Sequence, residues 1–153
     1  MSGLGLTSPK SRPAELCHGS CVALTPSAGL LIVGPSGSGK STLSLTLMAL
    51  GATLVCDDQT LLHADDDAEA VIATAPPTIK GQIEARGIGI LSATPFDACR
   101  VRAIVDLSKV EDERLPPVRN ERVIGVSIPL FYKVDGPQFA PALIQWLKGG
   151  RIA

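Results

Sequence analysis

The feature that most constrains the fold is a glycine-rich segment between an apolar run and a helical pattern. Residues 34–41 read G-P-S-G-S-G-K-S and match G-x-x-x-x-G-K-[ST] at every defined position. The apolar run at residues 30–33 predicts a strand buried on both faces. Residues 41–50 predict a helix with Leu43, Leu47 and Leu50 on one face and Gly51 as its C-terminal cap. This strand–loop–helix context is typical of a phosphate-binding loop.

The chemistry of such a loop follows from its residue types. Glycines allow backbone N–H groups to turn inward around an oxyanion, and the helix directs its positive end at the phosphates. Lys40 supplies a mobile charge for the β- and γ-phosphates, and the Ser41 hydroxyl can ligate Mg²⁺. The predicted nucleotide-binding residues are Gly34, Pro35, Ser36, Gly37, Ser38, Gly39, Lys40, Ser41 and Thr42.

The remaining patterns predict an α/β fold: a P-loop domain with a mixed central sheet. Strands are expected at residues 20–24, 53–56, 103–106 and 123–128, and a final helix at residues 140–147. Residues 61–62 and 71–73 resemble a hairpin around the acidic run 65–67, which we interpret as a solvated turn rather than a metal site. We expect a flexible N-terminal tail at residues 1–14 and one domain at residues 15–148.

Composition excludes several classes of function. The 153 residues carry a net charge of −1, so no basic excess attracts nucleic acid or anionic lipid. No apolar run reaches the roughly 18 residues of a membrane span, and we expect a cytoplasmic protein. The four cysteines form no C-x-x-C pair, and Cys17, His18 and Cys21 have the wrong spacing for structural zinc. Half-buried, reduced thiols are the expectation.

An aspartate pair follows the second predicted strand. Asp57 and Asp58 lie at its carboxyl end, where ligands bind in open α/β sheets. One carboxylate can reach Mg²⁺ while the other accepts a proton from an attacking hydroxyl. The sequence does not decide which aspartate takes which role, and a plain turn is the alternative interpretation.

Downstream, residues 84–90 read E-A-R-G-I-G-I, which is a second glycine-punctuated segment. Glu84 and Arg86 share one face if the chain is extended there, and the two together could position a phosphate or a seryl substrate. A structural ion pair explains the same residues equally well. His18, taken alone, is more often structural in such a position.

Taken in order, these segments resemble the catalytic domain of HPr kinase/phosphorylase over about residues 15–130. The resemblance rests on His18-Gly19, the loop at 34–41, L-V-C-D-D at 54–58 and E-A-R-G-I-G-I at 84–90. It implies an ATP- and Mg²⁺-dependent kinase that phosphorylates a serine of the phosphocarrier HPr, and a reverse phosphorolysis. It also implies a homohexamer and a fold related to phosphoenolpyruvate carboxykinase.

The resemblance also assigns roles. Asp57 would be the general base and His18 would orient an aspartate, while Lys40 and Arg86 would contact phosphate. Ser41, Asp58 and Glu84 would hold the metal. The family has an N-terminal domain and a P-G-R-N arginine linked to phosphorolysis; this chain resembles the short α-proteobacterial form, and residues 134–138 read V-D-G-P-Q. Kinase activity is therefore implied more directly than phosphorolysis.

Two other functions fit the phosphate loop. A small-molecule kinase would usually bring an arginine-rich lid, for which Arg114, Arg119 and Arg122 are weak candidates. A nucleotide-binding regulatory module without catalysis would not need Asp57, Asp58 and Lys40 together.

Overall fold

The protein is described here by a computed structural model that covers residues 14–65, 67 and 69–153. The predicted tail lies outside the described residues apart from Ala14. The strands are β1 (Glu15–Cys17), β2 (Gly19–Ala23), β3 (Gly29–Val33), β4 (Thr53–Cys56), β5 (Thr60–Asp65), β6 (Ala70–Thr74), β7 (Gln82–Ala85), β8 (Gly89–Ser92), β9 (Ala98–Val110), β10 (Asn120–Val123) and β11 (Val126–Lys133). The α-helices are α1 (Lys40–Ala49) and α2 (Phe139–Gly149), and a 3₁₀ turn spans Pro77–Ile79.

The main sheet is mixed, as the sequence predicts. Its strands follow the order β1-β5-β6-β9-β3-β2-β4, while β11 pairs with β9 and β10 pairs with β11. Strands β3, β9 and β11 run parallel, and β2 is antiparallel to both β3 and β4. The hairpin β7–β8 forms a separate two-stranded sheet. The carboxyl ends of the three parallel strands therefore meet at one edge of the sheet.

Strand β3 is buried on both faces, which confirms the interpretation of its continuous apolar run. Leu30 and Ile32 pack into the core beneath α1 and α2, whereas Leu31 enters a second core on the opposite face of the sheet. Side chains alternate between the two faces of a strand, so an all-apolar strand is expected only where both faces are covered. The phosphate loop thus begins from a rigid, fully enclosed strand.

Helix α1 confirms the predicted helix, but its buried face differs from the predicted leucine stripe. Leu47 is fully buried, yet Leu50 is 44% exposed, and Lys40 and Ser44 occupy the rest of the buried face. The helix ends at Ala49, so Leu50 lies outside the helical periodicity. The loop geometry fixes the rotation of the helix, and it directs Lys40 inward at its first residue.

The predicted strand at 123–128 was wrong. The chain reverses there: Ile124 and Gly125 have φ of 49° and 79°, and they join β10 to β11 in a tight hairpin. Two consecutive residues with positive φ form the turn type that matches the twist of paired strands. The turn residues are Ile-Gly instead of the usual Asn-Gly, and isoleucine rarely adopts this conformation. The sequence therefore carries no recognisable hairpin signal at this point. Strand β9 is also longer than the predicted 103–106.

The second core contains the cysteines. Cys21, Cys56 and Cys99 are buried in it and Cys17 packs against it, so three thiols are more deeply buried than predicted. All four are free, and the sulfurs of Cys21 and Cys99 lie 3.4 Å apart. Cys21 therefore contacts Cys99 inside the core.

Other predictions agree closely with the structure. Helix α2 begins one residue before the predicted 140–147 and ends two residues beyond it, and β5 and β6 form the predicted hairpin. Of the acidic run, Asp65 is the last residue of β5, and Asp66 lies outside the described residues. Among the described residues, no helix is both long enough and apolar enough to cross a membrane.

Candidate active site

The phosphate loop connects β3 to α1 through glycines in conformations that other residues rarely adopt. Gly34, Gly37 and Gly39 have φ of 152°, 82° and 98°. A Cβ atom on Gly34 would lie 2.6 Å from Ser38 Oγ, so this position is closed to larger residues by contact as well as by conformation. Ser38 N–H donates to the Pro35 carbonyl over 3.0 Å and tightens the turn. The loop therefore has the compact form that lets backbone N–H groups surround an oxyanion.

Lys40 lies at the first position of α1 and is almost buried, with 8% of its surface exposed. Its Nζ donates to the carbonyls of Gly34 and Pro35 over 2.8 and 3.2 Å. The ammonium group is thus held against the loop at the head of the helix. This position fits a cation that contacts phosphate oxygens on the loop.

Asp57, at the end of β4, is held by three hydrogen bonds. Ser20 Oγ and Ser41 Oγ donate to its Oδ1 over 2.9 and 2.7 Å, and the Glu84 N–H donates to Oδ2 over 3.0 Å. The residue is 8% exposed. The carboxylate therefore connects β2, the phosphate-loop helix and β7, and it lies beside the hydroxyl that the sequence assigns to Mg²⁺.

Asp58 differs from Asp57 in both exposure and backbone conformation. Its side chain is exposed, and its φ of 68° lies in the left-handed region, which aspartate tolerates better than most residues. The Asp58 N–H donates to Ser20 Oγ over 3.0 Å. Ser20 thus bonds to both members of the aspartate pair, to a side chain in one case and to the backbone in the other.

The hairpin β7–β8 brings the E-A-R-G-I-G-I segment to the same place. Glu84 lies in β7 and Arg86 in the turn after it, and both line a cleft of about 310 Å³. The remaining lining residues are Ser36, Gly37, Gly39, Lys40, Ser41, Thr42, Asp57 and Asp58. The carboxylates of Asp57, Asp58 and Glu84 line this cleft together with the cations of Lys40 and Arg86. Carboxylate and hydroxyl oxygens are the ligands that Mg²⁺ prefers. The cleft can therefore hold a phosphate chain together with a hard cation.

Most predicted site residues meet in this cleft, with some exceptions. Gly34, Pro35 and Ser38 belong to the loop but lie outside the lining of the cleft. His18 is exposed between β1 and β2 and is not among the described residues that line the cleft. Ser20, which was not predicted as a site residue, is fully buried and contacts both aspartates. A serine inside an otherwise apolar buried strand was the available indication.

Comparisons with known proteins support one family. The family described as "HPr Serine kinase C-terminal domain" matches residues 10–114. HPr kinase/phosphorylase 1 of Oceanobacillus iheyensis is 38% identical over 102 residues, covering 66% of this chain and 32% of the relative. HPr kinase/phosphorylase of Geobacillus kaustophilus is 36% identical over 107 residues, covering 69% of this chain and 34% of the relative. This chain thus spans about a third of the length of these curated relatives.

A solved structure agrees with the same assignment. "Structure of the Hpr(Ser) kinase/phosphatase from Coxiella burnetii" superimposes with a TM-score of 0.70 at 26% identity, covering 88% of this chain and 93% of that chain. The likeness confirms the predicted α/β fold class. From the family match over most of its length and the structural likeness together, the chain belongs to the HPr serine kinase C-terminal domain family.

Proposed function

We propose that this chain is an ATP- and Mg²⁺-dependent protein kinase that phosphorylates a seryl residue of an HPr-like phosphocarrier. The observation that carries the proposal is the single cleft in which Lys40, Ser41, Asp57 and Arg86 meet. Phosphoryl transfer depends chiefly on positioning and charge stabilisation, and these residues supply both. The family membership of the chain is consistent with the same reaction.

Roles within the cleft follow from chemistry and position. The loop and Lys40 hold the β- and γ-phosphates, and Arg86 supports the charge of the transferred group. Ser41, Asp58 and Glu84 hold Mg²⁺, which neutralises phosphate charge when bound. Asp57 accepts the seryl proton as general base. His18, exposed just before the strand that carries Ser20, orients an aspartate in this proposal.

One contact favours an exchange of the two aspartate roles. The Ser41 hydroxyl donates to Asp57 over 2.7 Å, which ties Asp57 to a proposed metal ligand. Asp58 has the more exposed side chain and is thus more accessible to an incoming hydroxyl. The second candidate assignment therefore makes Asp57 the metal-side carboxylate and Asp58 the base. Single substitutions of the two aspartates separate these assignments, as described in the Discussion.

A protein substrate is favoured by the surface beside the cleft. Ile88 and Ile90, in the β7–β8 hairpin that carries Glu84 and Arg86, are 78% and 64% exposed. Large exposed apolar side chains next to reactive groups suit contact with another protein better than contact with a small polar metabolite. Two of the three arginines considered for a lid are engaged elsewhere: Arg119 pairs with Glu111, and Arg122 donates to the Gly125 carbonyl.

The proposal includes an assembly and a location. We propose a homohexamer in the cytoplasm, where ATP and the phosphocarrier are available, without a nucleic-acid or membrane partner. Light scattering of the purified chain tests the assembly, and a stable monomer at micromolar concentration would contradict it. Phosphorolysis of the phosphoseryl carrier is proposed as a second activity, tested by adding inorganic phosphate and measuring pyrophosphate.

The kinase activity is tested by incubating the protein with labelled ATP, Mg²⁺ and HPr. We expect label on HPr, and none on an HPr variant in which the seryl residue is alanine. Nucleotide binding without transfer would support the regulatory module instead. Transfer only to a small metabolite would support the small-molecule kinase. The Lys40→Ala protein serves as the inactive reference in the same assay.

A further inference from the structure

A second cavity lies beside the phosphate-loop helix and is separate from the aspartate pair. Its volume is about 400 Å³, and it shares Gly39 and Thr42 with the phosphate cleft. Its other walls come from α1, from the end of β9, from the segment after β11 and from the start of α2. They include Leu43, Thr46, Leu107, Val134, Pro137 and Phe139. The two cavities therefore adjoin at the N-terminus of α1.

The topology explains why a ligand could extend from one cavity into the other. The phosphate loop follows β3, β9 is the parallel neighbour of β3, and β11 is the parallel neighbour of β9, so the carboxyl ends of the three strands form one edge. Ligands of open α/β sheets bind outside this edge. The aspartate pair approaches the loop from β4, on the β2 side of β3, whereas the second cavity lies on the β9 side. A phosphate chain on the loop thus has a carboxylate-rich cleft on one side and this cavity on the other.

The lining of the second cavity differs chemically from that of the first. Leucine, valine, proline and phenylalanine side chains form most of its walls, and such walls suit a flat, weakly polar ring. Asp135, exposed at its rim, offers an acceptor for a ribose hydroxyl or for an N–H group on the edge of a base. Ser38 also lines the cavity, and its Oγ is a buried polar atom with no hydrogen-bond partner among the described residues.

We propose that this cavity holds the base and ribose of the nucleotide whose phosphates lie on the loop. The inference rests on the proposed function, because it requires nucleotide phosphates on the loop. Beyond the proposed function, it locates the nucleoside. The residues expected to contact the nucleoside are Leu43, Thr46, Val134 and Phe139. Residues of this cavity determine how tightly a nucleoside triphosphate binds relative to its bare phosphate chain.

The test compares ATP with inorganic tripolyphosphate, which has the phosphate chain without the nucleoside. Isothermal titration with Mg²⁺ present gives both affinities. Contacts between a base and its protein surface typically strengthen binding by a factor on the order of 10 to 100. We therefore expect the native protein to bind ATP more tightly than tripolyphosphate by a factor of about this size.

The diagnostic variant is Thr46→Trp, because Thr46 is exposed on α1 and faces the cavity without lining the phosphate cleft. The large side chain should fill the cavity, so that ATP binds no better than tripolyphosphate while tripolyphosphate binding is unchanged. Ala49→Trp is the matched control, since Ala49 is exposed on the same helix and lines neither cavity. Val134→Trp, from the facing wall, should repeat the effect of Thr46→Trp.

The outcomes separate this inference from the proposed function. If the native protein binds both ligands equally, or if Thr46→Trp and Val134→Trp keep the native ratio, the nucleoside lies elsewhere and the inference is overturned. If the native protein binds neither ligand, the proposed nucleotide-dependent function itself fails. A loss of the ratio in both cavity variants but not in Ala49→Trp supports the inference.

Discussion

Ser20→Ala is the substitution that most directly tests how the candidate active site is built. Ser20 is fully buried; its hydroxyl donates to Asp57 Oδ1 over 2.9 Å and accepts from the Asp58 N–H over 3.0 Å. Alanine removes both bonds and leaves the Asp58 N–H without this acceptor. Because one partner is a carboxylate, we expect a loss of about 2 kcal/mol in the free energy of unfolding. For a chain of this size, that loss corresponds to a melting temperature lower by roughly 4–8 °C.

The same substitution should slow phosphoryl transfer. Asp57 would retain the bonds from Ser41 and Glu84 but lose the one that fixes it to β2, so we expect a fall in kcat larger than any change in nucleotide affinity. Ser44→Ala is the matched control: Ser44 is equally buried, but its hydroxyl donates only to the Lys40 carbonyl within α1. If thermal melting and kcat respond alike in the two variants, Ser20 does not organise the aspartate pair and the reasoning is wrong.

Lys40→Ala should weaken ATP binding in titration and abolish transfer to HPr, and turnover at the native rate would refute the assignment of the phosphate loop. Asp57→Asn should slow transfer by about 10² to 10⁴-fold with Mg²⁺-nucleotide affinity nearly intact, whereas Asp58→Asn should weaken that affinity; the opposite pattern would exchange their roles. Burial raises the pKa of the Cys56 thiol from its ordinary 9.0 to about 12. Above pH 9 this thiol therefore ionises in the unfolded chain but stays protonated in the native protein until the pH approaches 12. The contribution of this thiol to the free energy of unfolding, measured in urea, should therefore be constant below about pH 8 and fall above it, by about 1.4 kcal/mol at pH 10, and the total fall at high pH should be smaller in Cys56→Ala.

Local patterns were sufficient to predict the central part of the fold. Neighbouring residues alone determine the conformation of the apolar run, of the loop glycines and of the turn at the Asp-Asp pair. Strand β3, helix α1 and strand β4 accordingly lie within one residue of their predicted bounds. The rotation of α1 was not predictable, because the loop turns Lys40 inward and the leucine pattern could not reveal this. The β10–β11 turn was missed because Ile124 adopts a conformation that isoleucine normally avoids.

The sequence named most of the residues that line the candidate cleft, but not the contacts between them. Glu84 and Arg86 lie about 27 residues beyond Asp57 along the chain, and their meeting depends on how the β7–β8 hairpin folds over the cleft. Ser20 was overlooked because a serine in a short buried strand has no spacing that marks it as functional. The second cavity depends on side chains from α1, β9 and the segment before α2, which only the completed sheet brings together.

The long strand β9 has a consequence for how the chain folds during synthesis. Strand β3 ends at Val33, but its parallel partner begins at Ala98, about 65 residues later. At ribosomal rates of about 5–20 residues per second, one edge of the phosphate-loop strand lacks its native neighbour for roughly 3–13 s. An apolar strand with an open edge invites pairing with other chains. Nascent chains of this protein are therefore most vulnerable to aggregation in the interval before β9 leaves the ribosome, and chaperone demand should concentrate there.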